Sequence, residues 1–188
     1  MKIRQILAVA FGLLFASFAA AQQTVKIGMS MPQTGTLGAG GKAALVALRM
    51  WVDDVNGRGG LLGRKVEFIV YDDQTNPALT PAIYTKLLDV DKVDLIIAPY
   101  GTVPTAPIMP LVKQRDLLLM GNFSFQVNHT VKHDKWFNNG PWNTASSWFE
   151  GFFQAGQKVG AKTIAFLAAD QEFAQNLANG AKDLAKKA

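Results

Sequence analysis

Residues 53–66 read Asp-Asp-Val-Asn-Gly-Arg-Gly-Gly-Leu-Leu-Gly-Arg-Lys-Val, and they mark the change from a helix to a strand. Upstream, Lys42 to Asn56 is predicted to be helical, because apolar residues recur there with helical period. That apolar face comprises Ala44, Leu48, Trp51, Val52 and Val55. Gly57 is predicted to end the helix as its C′ residue. The glycine-rich run that follows predicts a turn, and Lys65 to Tyr71 predicts the next strand.

The same alternation of strands and helices extends in both directions from this junction. Further strands are predicted at Val25 to Met29, Val93 to Ala98, Leu117 to Met120 and Lys162 to Ala168, with a short strand near Trp136 to Asn138. Strands separated by helices imply right-handed crossovers and a parallel, doubly wound α/β sheet.

Helices are predicted between these strands. One begins either at Pro77, with Asn76 as its cap, or after Thr80 as its cap, because Pro81 would remove a hydrogen bond inside the longer helix. Its inner face comprises Tyr84, Leu87 and Leu88, and a further helix follows Thr102 with a kink at Pro110. The last two are predicted from Thr144 to Val159 and from Glu172 to Lys186.

The first 21 residues have the pattern of an export signal. Lys2 and Arg4 precede an apolar run from Ile6 to Phe18, and three alanines then fit a cleavage site before Gln22. The alternative is a membrane anchor, but the run is shorter than the roughly 20 residues that span a bilayer. We therefore expect residues 1–21 to be a cleaved signal peptide and the mature protein to be periplasmic.

The composition excludes several classes of site. The chain has no cysteine, which rules out disulfides and thiolate metal sites. Removal of the signal lowers the formal net charge from +5, because Lys2 and Arg4 are lost with no acidic residue. We find no stripe of lysine and arginine of the kind that binds nucleic acid.

Motifs for catalysis or cofactor binding are weak. Residues 38–43 match G-x-G-x-x-A, but they follow the first strand by about eight residues, whereas the dinucleotide fingerprint needs a tight turn. His129 and His133 are predicted to be solvated loop residues, and Asp72 and Asp73 to cap the following turn. No serine lies in a G-x-S-x-G motif. We expect no enzyme activity, no cofactor and no metal site.

Binding residues are sought at the carboxyl ends of the strands, where open α/β sheets hold their ligands. Thr102 follows the third strand at a predicted helix start, which can accept an anion or can simply be an N-cap. Phe123 and Phe125 flank Ser124 after the fourth strand, and they predict either packing under the loop or an apolar pocket with Ser124 as a polar contact. Phe173 carries the same two interpretations.

Residues 53–66, with Tyr71-Asp72-Asp73 and Asn76-Pro77, resemble the leucine/isoleucine/valine-binding protein family. These are type I periplasmic binding proteins of ABC importers. The resemblance implies two α/β lobes that close over a small solute, a membrane permease as partner and a monomer when full length. It implies a first lobe over 22–121, a crossing between lobes over 122–143 and the start of a second lobe over 144–188.

The resemblance also assigns the candidate site. Thr102 stands where the family offers a hydroxyl to a ligand carboxylate, and Phe123 and Phe125 replace a small residue and a threonine. Leu37 and Phe173 stand where tyrosines often line the cleft. These departures favour an aromatic or apolar carboxylate or amide over a plain branched-chain amino acid. A sensor of the same fold and an exported α/β enzyme are the alternatives.

Family members are about twice this length, so the resemblance implies that the first lobe here lacks its returning elements. We therefore expect apolar surface to be left uncovered.

Overall fold

The computed structural model describes residues 24–121, 124, 131–138 and 145–187, so the predicted signal peptide lies outside the described residues. Within them, five strands form one parallel sheet in the order β2-β1-β3-β4-β5. The strands are β1 (Val25–Ser30), β2 (Val66–Tyr71), β3 (Leu95–Ile97), β4 (Leu119–Gly121) and β5 (Trp136–Asn138). The predicted parallel sheet is confirmed, including the short strand at Trp136.

The helices fall between and after the strands. They are α1 (Gly38–Gly57), α2 (Thr80–Asp89), α3 (Thr102–Thr105), α4 (Met109–Gln114), α5 (Glu150–Lys158) and α6 (Glu172–Ala185), with 3-10 turns at Ala106–Ile108 and Ser147–Phe149. Prolines at three positions break the segment after Thr102 into short pieces, because each removes a backbone donor.

The two faces of the sheet carry different helices. On one face, Val25, Ile27 and Val66 pack with Val52 and Val55 of α1. On the other face, one buried cluster joins α2 and α4 to the central strands; its members are Tyr84, Leu87, Ile96, Ala98, Ile108, Met109, Val112 and Leu119. The chain turns from β1 to β2 in one direction and from β3 to β4 in the other, so the strand order reverses between β1 and β3. The fold is therefore doubly wound, as predicted.

The junction at residues 53–66 is held by one side chain and two glycines. The Asn56 Nδ2 donates to the Val66 carbonyl at 2.9 Å, and its Oδ1 accepts from the Val66 N–H at 2.7 Å, so the end of α1 is tied to the start of β2. Gly59 and Gly60 have φ angles of 101° and 88°. A Cβ at Gly60 would lie 2.1 Å from the Arg64 carbonyl oxygen, so only glycine permits this turn.

The predicted bounds of the first helix are wrong at both ends. Helix α1 begins at Gly38 rather than Lys42, because glycine lets its first turn approach the preceding loop closely. At the other end, Gly57 is still helical, and the left-handed backbone conformation falls at Gly59. In α2 the cap residue is Leu79, and Thr80 is the first helical residue.

Two further predictions are corrected. Residues Lys162 to Ala168 do not form a strand, since no described residue pairs with them, and Leu167 is fully exposed. His133 is buried rather than solvated, and its Nε2 lies 2.6 Å from the Leu117 carbonyl oxygen; His129 lies outside the described residues. Strands β3 and β4 are also shorter than predicted.

The expected uncovered apolar surface lies beside α1, over β3 and β4. It is a groove of about 420 Å³ that Trp51, Leu95, Leu118 and Met120 line, and Leu118 is 50% exposed. No described element covers this groove. We call it the β3/β4 groove.

We predict that Leu118→Glu combined with Met120→Glu will roughly halve the binding of a hydrophobic dye and reduce self-association, because contiguous apolar surface drives both. Dye fluorescence and analytical ultracentrifugation measure this. Val46→Glu on α1, where the side chain is also exposed, is the control. A monomeric wild-type chain with a sharp, reversible thermal transition and no dye binding would contradict the prediction.

Candidate ligand cavity at the carboxyl edge of the sheet

A cavity of about 320 Å³ lies where the loops after β1 and β3 meet. This is the point at which the strand order reverses, and open α/β sheets bind ligands there. Its apolar and aromatic lining consists of Leu37, Tyr100, Val103, Pro104, Trp148 and Phe173. Its polar lining consists of Thr102, Ser124 and Gln171, with the backbone of Gly101. The volume is within the roughly 300–1,000 Å³ of small-molecule pockets.

Four of the six site residues predicted from the sequence line this one cavity: Leu37, Thr102, Ser124 and Phe173. Thr102 and Ser124 are each 3% exposed, so only a small part of either residue reaches the cavity. Thr102 is the first residue of α3, and Gly101 rather than Thr102 is its N-cap. Phe123 and Phe125 lie outside the described residues.

Five lining side chains were missed by the sequence analysis: Val103 and Pro104 next to Thr102, and Tyr100, Trp148 and Gln171. Trp148 comes from the 3-10 turn before α5, Gln171 precedes α6, and Tyr100 follows β3. The signal for Tyr100 was available, because it lies in the loop between the third strand and Thr102. Trp148 could not be singled out, since helical periodicity does not distinguish a residue that packs inward from one that lines a cleft.

The position of Leu37 is set by the loop that follows β2. The Asp72 Oδ1 accepts hydrogen bonds from the N–H groups of Gln33 and Thr34, and its Oδ2 accepts from the Thr34 hydroxyl at 2.8 Å. The Leu37 N–H donates to the Thr75 Oγ1 at 3.1 Å, and that hydroxyl donates to the Thr34 carbonyl at 3.0 Å. We call residues 72–75 the β2 clamp, because they hold the loop after β1 from outside it.

The β2 clamp itself adopts an unfavourable backbone conformation. Gln74 and Thr75 have φ angles of 57° and 59°, which is uncommon for residues with a side chain and costly for a β-branched one. The Asp72 and Asp73 carboxylates accept from the Gln74 and Thr75 N–H groups at 2.8 and 3.0 Å, which stabilises this turn. The predicted capping role of both aspartates is confirmed, and each also bonds to the β1 end of the sheet: Asp73 accepts from the Ser30 hydroxyl at 2.8 Å.

The pKa values of Asp72 and Asp73 are shifted in opposite directions. Burial acts to raise the pKa of Asp72, but hydrogen bonds from Gln74, Thr34 and Gln33 together lower it below its usual value. Burial raises the pKa of Asp73, and its bonds from Ser30 and Thr75 only partly offset that rise. Asp72 therefore stabilises the fold as a carboxylate, whereas ionisation of Asp73 is disfavoured in the fold.

We predict that the contribution of Asp72 to stability is complete above its unfolded pKa of about 3.9 and is lost as the pH falls through its lower folded pKa. Asp72→Asn should lower the free energy of unfolding by about 1–2 kcal/mol at pH 7. As the pH is lowered towards 3, the free energy of unfolding should fall less in this variant than in the wild type. Urea unfolding from pH 3 to 7 measures this, and the difference from wild type isolates Asp72 from the opposing Asp73. Asp53→Asn on the exposed face of α1 is the control, and equal acid sensitivity of wild type and Asp72→Asn would refute the assignment.

Hydroxyl groups of buried side chains hold the loop after β3 in place. The Thr105 hydroxyl is fully buried and lies 2.6 Å from the Gly101 carbonyl, to which it donates. Gly101 has a φ of 107°, a conformation open to glycine. The Tyr84 hydroxyl donates to the Ile97 carbonyl and accepts from the Ser30 N–H, so it joins the carboxyl ends of β3 and β1. The carboxyl ends of β1 and β3, from which two sides of the cavity extend, are thus joined by a buried polar side chain.

The far wall of the cavity comes from the C-terminal part of the described chain. Phe173 lies in the first turn of α6, and α6 packs against α3. A Cβ on Gly180 would lie 2.4 Å from the Ala145 carbonyl carbon, so α6 also approaches the segment before α5 closely.

The described residues meet neither the requirements of a metal site nor those of a membrane-spanning helix. No three His, Asp or Glu side chains among them lie close enough to hold a metal ion. None of the described helices is both long and apolar enough to cross a membrane. A second cavity, of about 520 Å³ between α5 and α6, is lined by Phe153, Phe166 and lysines, and it lies away from the carboxyl edge of the sheet.

Comparison with protein families and curated proteins gives a consistent result. The family model described as "Periplasmic binding protein" matches residues 24–188. The "Leucine-, isoleucine-, valine-, threonine-, and alanine-binding protein" of Pseudomonas aeruginosa is 26% identical over 106 residues, which are 56% of this chain and 28% of that protein. The Leu/Ile/Val-binding protein of Escherichia coli is 23% identical over 120 residues, which are 64% of this chain and 32% of that protein. The matched stretches thus cover about a third or less of these relatives.

Solved structures show the same fold. The branched-chain amino acid transporter substrate-binding protein LivJ of Streptococcus pneumoniae, in complex with isoleucine, has a TM-score of 0.76 at 22% identity and covers 86% of this chain and 46% of its own. A solute-binding protein of an ABC transporter from Rhodopseudomonas palustris, in complex with 3,4-dihydroxybenzoic acid, has a TM-score of 0.73 at 23% identity and covers 87% and 44%.

Proposed function

Since the chain belongs to the periplasmic binding protein family, whose model matches residues 24–188, we propose that it is the substrate-binding component of an ABC importer. It captures a small solute in the periplasm and delivers it to a membrane permease. The solute class that the site residues support is a branched-chain-amino-acid-like or an aromatic or apolar carboxylate or amide. The curated and solved relatives, which bind amino acids or an aromatic acid by their names, support this class.

The observation that carries the proposal is the cavity that Leu37, Thr102, Ser124 and Phe173 share. A mainly apolar lining with the nearly buried Thr102 and Ser124 suits a molecule that is held by burial and oriented by a few polar contacts. None of the ten described lining residues is an Asp, Glu, His or Lys that could act as a general acid or base.

We further propose the domain organisation that the sequence indicates. Residues 1–21 are a signal peptide, 22–121 belong to the first lobe, 122–143 cross between lobes, and 144–188 begin the second. In this arrangement the solute stabilises the closed form, because it contacts both lobes only when they close. Mass spectrometry of the exported protein should find Gln22 at its N-terminus, and an intact Met1 would exclude cleavage.

Calorimetry of the purified protein against leucine and a panel of aromatic acids tests the receptor function. We expect at least one solute to bind, and Thr102→Val to weaken that binding about tenfold, because the buried hydroxyl loses its polar contact with the solute. Thr85→Val is the matched control, since the Thr85 hydroxyl bonds only to the Pro81 carbonyl in the exposed part of α2. Deletion of the gene should abolish uptake of the same solute by cells. If no solute binds, the proposal fails.

A further inference from the structure

We propose that Thr75 is a positioning residue for solute binding: its hydroxyl fixes the place of Leu37, and through Leu37 it raises the affinity of the cavity for its solute. Thr75 is not one of the described residues that line the cavity. The inference rests on the proposed receptor function and adds to it a residue that acts from behind the cavity wall. Three observations carry it: the backbone angle of Thr75, the two partners of its hydroxyl, and the close approach of the loop after β1.

The first observation is the backbone conformation of Thr75. Its φ of 59° lies in the left-handed region, where a β-branched side chain crowds the neighbouring peptide groups. Glycine would adopt this angle without strain. Residues held in such conformations cluster at ligand sites, where the surrounding structure imposes them. A threonine at this position therefore indicates that its hydroxyl supplies something that glycine cannot.

The second observation is the pair of bonds that the Thr75 hydroxyl makes. Its Oγ1 accepts from the Leu37 N–H at 3.1 Å and donates to the Thr34 carbonyl at 3.0 Å, so one hydroxyl joins two backbone groups of the loop after β1. Leu37 is also the N-cap residue of α1, so the same hydroxyl fixes the point at which that helix begins. Thr75 thus determines where a residue of the cavity wall lies.

The third observation is how closely the loop after β1 approaches the β2 clamp. A Cβ at Gly35 would lie 2.4 Å from the Gln74 carbonyl oxygen and 2.6 Å from the Thr75 Oγ1. Gly35 has a φ of 79°, which a residue with a side chain rarely adopts. Glycine therefore lets the loop lie directly against the hydroxyl that holds it, between the two residues to which that hydroxyl bonds.

Partial exposure separates the effect of the hydroxyl on binding from its effect on folding. The bond to the Leu37 N–H is only partly buried and the bond to the Thr34 carbonyl is exposed, so water can satisfy both groups when the hydroxyl is removed. Water does not hold the loop in one arrangement, however. A solute must then order Leu37 when it binds, which costs affinity. Removal of the hydroxyl should therefore reduce affinity more than stability.

Three substitutions of Thr75 test this role in the purified protein. Thr75→Val removes the hydroxyl and keeps the shape, Thr75→Gly also relieves the backbone angle, and Thr75→Ser keeps the hydroxyl. Calorimetry uses L-leucine, 3,4-dihydroxybenzoate and the wider panel of aromatic acids as probes. We expect Thr75→Val and Thr75→Gly to weaken the binding that the wild type shows by about fivefold, and Thr75→Ser to retain it.

Two measurements without solute separate positioning from a merely structural role. Hydrogen exchange of the Leu37 amide should be about fivefold faster in Thr75→Val and Thr75→Gly than in the wild type or Thr75→Ser, because the amide loses its acceptor. In thermal unfolding, Thr75→Gly should melt at a higher temperature than Thr75→Val, since glycine fits the angle, and should still bind no more tightly.

Matched controls exist for both kinds of substitution. Thr85→Val removes a hydroxyl that bonds only to the Pro81 carbonyl. Lys92→Gly relieves a φ of 54° at an exposed position after α2. Neither should change solute affinity or the exchange of the Leu37 amide.

The outcomes distinguish this inference from the receptor function. Unchanged affinity in Thr75→Val, or unchanged exchange of the Leu37 amide, would overturn the positioning role and leave the receptor function standing. Affinity that simply follows melting temperature across the three Thr75 variants would overturn it as well. Absence of wild-type binding to L-leucine and to every aromatic acid would defeat the receptor function, and this inference with it.

Discussion

Gly41→Ala is expected to lower the free energy of unfolding by about 3 kcal/mol, at the upper end of overpacking effects. A Cβ at this position would lie 1.9 Å from the Pro32 carbonyl oxygen and 2.9 Å from its carbon. Both are backbone atoms, so no side-chain rotation can relieve the clash. The first turn of α1 and the loop before it must separate, and Leu37 lies between them in the chain. We therefore expect solute affinity to fall together with stability.

Gly57→Ala in the same helix is the matched control. No atom lies within 4 Å of a Cβ built at Gly57. Alanine there should be neutral or should stabilise the protein by about 0.4–1 kcal/mol, because it restricts the unfolded chain. Urea unfolding of both variants gives the comparison, and equal effects of the two substitutions would show that the contact with Pro32 does not require glycine.

Tyr84→Phe is expected to cost about 1–3 kcal/mol, although only one oxygen atom is removed. That oxygen links the Ser30 N–H to the Ile97 carbonyl, and Tyr84 and Ser30 are fully buried. Without it, both backbone groups lose this partner where water cannot replace it. Tyr84→Ala should cost about 3–5 kcal/mol, because it also removes the ring from the core. Such a loss approaches the whole stability of an ordinary domain.

Tyr71→Phe is the control for Tyr84→Phe. The Tyr71 hydroxyl donates to the Asp91 carboxylate at 3.0 Å and accepts from the Lys86 ammonium, and neither contact is fully buried, so water can replace both. Burial raises the pKa of Tyr84 well above its ordinary value, so its hydroxyl stays protonated and the cost should not change between pH 6 and 9. A cost for Tyr84→Phe no larger than that for Tyr71→Phe would refute the bridging role.

The sheet could be predicted from the sequence because its strands are strongly apolar and its helices have clear period. The junction at residues 53–66 was interpreted correctly as helix, turn and strand, but the role of Asn56 was not seen. Asn56 acts across a chain reversal, and no local pattern shows which backbone groups its amide will meet. The strand predicted at Lys162 to Ala168 failed for a related reason: composition favours an extended chain, but a strand also needs a partner.

The residues of the candidate site could likewise be predicted only in part from the sequence. Leu37, Thr102, Ser124 and Phe173 were identified because topology places ligands at the carboxyl ends of the strands and because the family resemblance assigned them. Trp148 was missed, since its position depends on how α6 and the turn before α5 approach the sheet. The sequence analysis found the capping role of the β2 clamp but not its contact with the loop after β1. The hydrogen bonds that the Gln33 and Thr34 N–H groups donate to Asp72 join residues nearly forty positions apart, so no local pattern shows them.

The hydrogen bonds of the β2 clamp hold the cavity in place, whereas the side chains that line the cavity contact the solute. The clamp holds the loop after β1 through the backbone of residues 33, 34 and 37 and the hydroxyl of Thr34, and its bond at position 37 is to the backbone N–H. A substitution of Leu37 by any residue other than proline therefore keeps each hydrogen bond of the clamp available. A lineage with this scaffold can acquire a new solute by single substitutions at such a position, without first accumulating compensating changes in the core.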